Sequence, residues 1–81
     1  MNKDIWEQIK NIDKKTLIKA LERDNWQFDA EHNKFRTYRK DTNKITIHYH
    51  ATTFKNPKLL KKILSDIGWE DDDYYRLKLV K

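Results

Sequence analysis

The chain has no cysteine, a single glycine (Gly68) and a single proline (Pro57). Without cysteine there is no disulfide framework and no thiolate metal site. With one glycine there is no glycine-rich loop to cradle a nucleotide phosphate. No segment approaches the ~18 consecutive apolar residues of a membrane span. The opening residues Met1-Asn2-Lys3-Asp4-Ile5-Trp6 lack the apolar core of a signal peptide. A cytoplasmic protein with no membrane partner is therefore the expectation.

What the chain does have is charge and large rings. Charged residues make up 38% of its 81 residues and hydrophobic ones 37%, so apolar content is low for a globular domain. Three Trp, four Tyr and three Phe compensate, since each large ring buries on the order of 150–250 Å². One domain spanning residues 1–81 is expected, with a thin core. The net charge of +5 is unevenly spread. Nine basic residues (Lys34, Arg36, Arg39, Lys40, Lys44, Lys55, Lys58, Lys61, Lys62) and one acid, Asp41, fall between positions 34 and 62, a local excess of +8. Such segregation favours an anionic partner, although it also suits a solvated face.

Periodicity and capping residues set the element order. Asp4 is placed to cap a short helix over Ile5 to Lys10, and Asp13 to cap a second one carrying Leu17, Ile18 and Leu21, with Ile12 as a staple on Leu17. Trp26-Gln27-Phe28 reads as a strand with both rings on one side, followed by a polar turn from Asp29 to Asn33. Lys34 to Arg39 forms the second strand. Asp41-Thr42-Asn43 turns into the third, where Ile45, Ile47 and Tyr49 alternate with Thr46, His48 and His50. Asn56 caps a long helix with Pro57 at its first position and Gly68 just past its end, and Trp69 is placed to fold back on Leu64. Leu59, Leu60, Ile63, Leu64 and Ile67 form its apolar stripe. Glu70 to Asp73 reads as a solvated acidic turn, and Tyr74 to Lys81 as a terminal strand or extended tail. The fold class that follows is α+β: two layers, ordered helix-strand-strand-strand-helix, with a three-stranded antiparallel sheet and additions at both ends.

Histidine exchanges protons near neutral pH. His48 and His50 share one strand face, and His32, one strand earlier, can join them through antiparallel pairing. Cutting RNA without a metal needs a base for the 2′-hydroxyl, an acid for the departing 5′-oxygen and cations for the phosphate. The three histidines fit the first two roles. Arg36, Arg39, Lys34, Lys55, Lys58, Lys61 and Lys62 are the candidate RNA-binding residues, and Tyr49 or Phe35 can stack a base. The plainer readings are a polar turn residue for His32 and packed strand residues for His48 and His50. A zinc centre would need all three histidines around one point, which their spacing does not ensure.

Two blocks, Leu17-Ile18-Lys19-Ala20-Leu21-Glu22-Arg23-Asp24-Asn25-Trp26 and Ile45 to Trp69 with His50 and Leu60-x-x-Ile63-Leu64, resemble the HicA family. These are small toxins of toxin-antitoxin modules, with a fold similar to a double-stranded-RNA-binding domain. The resemblance covers roughly residues 13 to 69. It implies a metal-independent, cofactor-free endoribonuclease that cleaves messenger RNA and is neutralised by a HicB-like antitoxin. His32-Asn33-Lys34-Phe35 matches the second half of the family's catalytic motif, while Ala30-Glu31 stands where the family has Gly-Ser. A non-catalytic RNA-binding module and an antitoxin-binding protein without activity are the alternatives on the same fold.

Overall fold

Asn2 and Asp13 begin the first two helices in the computed structural model, which describes residues 1–48, 54 and 56–81. In α1 (Lys3–Ile9) the cap is Asn2 rather than Asp4, its side-chain oxygen accepting from the Ile5 amide at 2.8 Å. Asp4 lies in the first turn, where its charge suits the helix dipole. In α2 (Lys14–Arg23) Asp13 accepts from the Thr16 amide at 2.7 Å, as its position predicts. Leu17, Ala20 and Leu21 turn into the core, and Ile12 packs against the same cluster.

The three strands are β1 (Gln27–His32), β2 (Phe35–Lys40) and β3 (Asn43–His48), antiparallel in the order β1-β2-β3. The expected polar turn over 29–33 is instead strand as far as His32. Asn33 and Lys34, at φ 49° and 70°, make the two-residue connection. Positive φ at both central residues is the type I′ geometry that matches strand twist. The pairing slips between Phe28 and Ala30, leaving Asp29 as an extra residue in a β-bulge.

Strand alternation then sorts the sheet into two faces. Tyr38, Ile45 and Ile47 share one face and are buried. With them in the core are Ile5 and Ile9 of α1, Leu17 and Leu21 of α2, and Trp26. The third helix, α3 (Pro57–Ile67), adds Leu60, Ile63, Leu64 and Ile67 to the same cluster, with Asn56 as cap, Pro57 first and Gly68 at φ 82° closing it. The helices therefore lie on one side, and among the described residues the opposite face of the sheet is left open. The architecture is the expected α+β two-layer one.

Four local expectations are corrected. Leu59 stands 44% exposed beside the stripe that Leu60 belongs to. Phe28 lies on the Tyr38 side, its ring edge-on at 6.0 Å, yet is 57% exposed while Trp26 is buried. The reason is that β1 is exposed along its whole length. The acidic run begins a helix, α4 (Asp71–Arg76), in which the Glu70 amide donates to the Asp73 carboxylate at 2.8 Å. The C-terminal segment is helical only as far as Arg76 and then turns at Lys78 (φ 59°), which lets Tyr74, Leu77 and Val80 all be buried. Trp69 packs edge-on against Tyr74 at 5.7 Å, and its indole N–H donates to Asp24 at 2.7 Å.

Candidate active site on the open face of the sheet

Residues directly opposite on antiparallel strands point to the same face. His32 pairs with Phe35, and Phe35 pairs with His48. The three rings therefore form one row across the open face, at the end of the sheet marked by the Asn33-Lys34 turn. Phe35 is 45% exposed, and its ring lies 4.6 Å from that of His48, tilted by 37°. Two strand spacings separate the backbones of His32 and His48, roughly 10 Å. The Asn33 amide nitrogen is 3.0 Å from Nε2 of His32. With the amide donating, the ring carries its proton on Nδ1.

Further along the sheet a second row holds Ala30, Thr37 and Thr46, the two hydroxyls 3.1 Å apart. A third holds Arg39 and Lys44 with Asp29 reaching across from the bulge. Arg39 Nη2 donates to one carboxylate oxygen at 2.7 Å, while Lys44 Nζ is 3.7 Å from the other. The Arg39 hydrogen bond holds the Asp29 carboxyl below the usual carboxylate range, helped by the charge of Lys44. The end of β3 is fastened from behind. Lys14 Nζ donates to the His48 carbonyl while standing 5.2 Å from the centre of the Phe54 ring.

The structure thus brings His32 and His48 together, with Phe35 between them and Lys34 on the adjoining turn. His50 and Lys55 lie outside the described residues. The other basic residues are not gathered there. Arg36 points to the opposite face, its guanidinium 3.0 Å from Glu31. Arg39 is on the open face but two rows away. Lys58, Lys61 and Lys62 are on α3 in the helical layer, where Lys61 sits 4.7 Å over the Trp6 ring and Lys62 is 3.1 Å from Asp66. The reason is geometric, since alternation divides neighbouring strand cations between two faces and the helix folds behind the sheet.

Comparison with known protein families, curated proteins and solved structures finds no match to this chain. Its site is therefore read from geometry. Among the described residues no three His, Asp or Glu side chains gather to hold a metal ion, and no helix is long and apolar enough to cross a membrane. A cavity of about 530 Å³ on the helical side, lined by Trp6, Lys61, Leu64 and Trp69 among others, is separate from the histidine row. Lys44, counted in the basic excess but not among the candidate RNA-binding residues, also belongs to this face, where it alternates with Thr46 and His48. Asp29 carried no such signal, because only the bulge turns it onto this face.

The two residues before His32 also have a defined structural setting. Ala30 and Glu31 are extended strand residues paired with Thr37 and Arg36. The left-handed backbone falls after the histidine, at Asn33 and Lys34, rather than before it. Glu31 points away from His32, to the face where Arg36 meets it.

Proposed function

We propose that the open face binds single-stranded RNA and cuts it, and that the chain is a metal-independent endoribonuclease of the HicA toxin type. Such an enzyme would act on messenger RNA in the cytoplasm and be neutralised by a HicB-like antitoxin. The observation that carries this reading is the row of His32, Phe35 and half-buried His48, in which two imidazoles flank an exposed aromatic ring. A base stacked on Phe35 would hold its neighbouring phosphodiester beside both rings.

The chemistry balances with two histidines in opposite protonation states. One neutral imidazole takes the 2′-hydroxyl proton as that oxygen bonds to phosphorus. The bond from phosphorus to the 5′-oxygen breaks, and the protonated imidazole gives its proton to the departing oxygen. A 2′,3′-cyclic phosphate and a 5′-hydroxyl result. Lys34, on the turn beside His32, would offset the charge that builds on the phosphate.

His32→Ala and His48→Ala should each slow cleavage of a single-stranded RNA by roughly 10²-fold or more, with a bell-shaped pH profile for the unaltered chain. Unchanged cleavage in both variants removes these rings from the mechanism. A second reading, a non-catalytic RNA- or antitoxin-binding module, is favoured by the Asn33 side chain, which occupies the Nε2 lone pair that a base would use. RNA retained without product at every pH from about 5 to 8, the range over which histidine changes charge, would establish that reading instead.

A further inference from the structure

Asp29 is an extra residue in β1, and its carboxylate lies between two cations, one on each of the other strands. Bulges concentrate where a side chain has to be re-aimed, often beside functional sites. Here the bulge places Asp29 and Ala30 on the same open face. Arg39 and Lys44 remain half or more exposed in this arrangement, at 50% and 58%, while Asp29 is 26% exposed. Exposed ion pairs add little to stability, so the fold does not depend on this carboxylate staying in place.

An arginine fork beside a lysine suits a phosphate oxygen as well as a carboxylate. Arg39 is four residues from Phe35 along β2, about 13 Å. The phosphate it would meet is therefore not the one between the histidines. The Thr37 and Thr46 hydroxyls lie on the path between the two positions. We infer that Arg39 and Lys44 form a second phosphate subsite for single-stranded RNA, and that Asp29 fills it in the free protein as an internal stand-in for the phosphodiester. This rests on the reading that the open face binds RNA. It adds that the face is self-masked, and that RNA enters by displacing Asp29.

The test measures binding of a labelled single-stranded RNA as a function of salt, in a His32→Ala background so that cutting does not intervene. Asp29→Asn keeps the side chain's size while removing its charge, and should tighten binding by roughly three- to tenfold at low salt. Arg39→Gln with Lys44→Gln should weaken binding and reduce the logarithmic salt slope by ~0.7 for each phosphate that is no longer neutralised. Phe35→Ala reports on the face as a whole. If Phe35→Ala weakens binding but Asp29→Asn does not tighten it, the subsite inference is overturned and the RNA-face reading stands. If Asp29→Asn tightens binding but the Arg39 and Lys44 changes leave it intact, the carboxylate repels RNA without occupying a subsite, and the inference is again overturned. If neither the parent chain nor any variant binds RNA, both readings fall.

Discussion

Asp24 joins three separate parts of the fold through one carboxylate. It is 9% exposed and accepts from Trp69 Nε1 and Arg76 Nη2, each at 2.7 Å, with Lys40 Nζ at 3.2 Å. Burial pushes its carboxyl up, but the hydrogen bonds from Trp69, Arg76 and Lys40 outweigh that and hold it below the usual value. A carboxylate whose folded pKa is depressed stabilises the fold above its unfolded pKa of ~3.9, and that contribution is lost as pH falls toward the folded value. Asp24→Ala should therefore cost about 2 kcal/mol near neutral pH, measured by urea unfolding. Asp24→Asn should flatten the decline in stability below about pH 4; an unaltered acid limb would show that Asp24 does not drive it. Trp26 presents the opposite case, a buried indole whose N–H has no hydrogen-bond partner among the described residues. An unmet buried donor costs ~1–3 kcal/mol, which offsets much of what the larger ring gains over phenylalanine. Trp26→Phe is expected to stay within about 1 kcal/mol of the parent, whereas Trp26→Ala should lose ~3–5 kcal/mol.

At the scale of elements, positive φ marks places where the chain changes direction, Gly68 and Lys34 among them. Gly68 closes α3 at φ 82°, and a Cβ built there meets nothing within 4 Å. Gly68→Ala should thus cost only the left-handed penalty, about 1 kcal/mol, with no loss of packing around it. Lys34 adopts φ 70° in the β1–β2 turn without a glycine's freedom. Lys34→Gly should raise the thermal midpoint by about 2–6 °C, and no rise would mean that the turn is less strained than its φ indicates. The same turn sets the histidine row, because a two-residue connection makes His32 and Phe35 direct partners. The last element owes its form to its surroundings. Six residues of α4 are too few to persist alone, and the helix forms where Tyr74 and Leu77 can be buried and Arg76 can reach Asp24. Burial, with Asp71 and Asp73 nearby, also pushes the Tyr74 hydroxyl up to about 12, so that it is protonated at neutral pH.

For the whole molecule, the sheet is a partition. The basic excess between positions 34 and 62 is a property of the sequence, but in space it is divided among the open face, the helix-covered face and α3. RNA lying on the open face should therefore respond unequally to the two sets of cations. Replacing Lys34, Arg39 and Lys44 with Gln is expected to weaken binding at low salt by about tenfold or more. Replacing Lys58, Lys61 and Lys62 with Gln should change it by only a few-fold. The reverse order in a salt-dependent binding assay would move the interface to the helical layer and leave the histidine row without a substrate.

The residue pattern alone determined the α+β class, the order of the main helices and strands, the Asp13, Asn56 and Gly68 helix ends, and the shared face of Thr46 and His48. These follow from local physics: period-two alternation, side-chain oxygens that satisfy free amides, and a glycine able to turn left-handed. Bringing His32 level with His48, turning Asp29 toward Arg39, separating Arg36 from both and folding 71–76 into a helix were decided by tertiary structure. Each depends on strand register, a bulge or burial against distant residues, which are long-range properties that no stretch of sequence carries by itself.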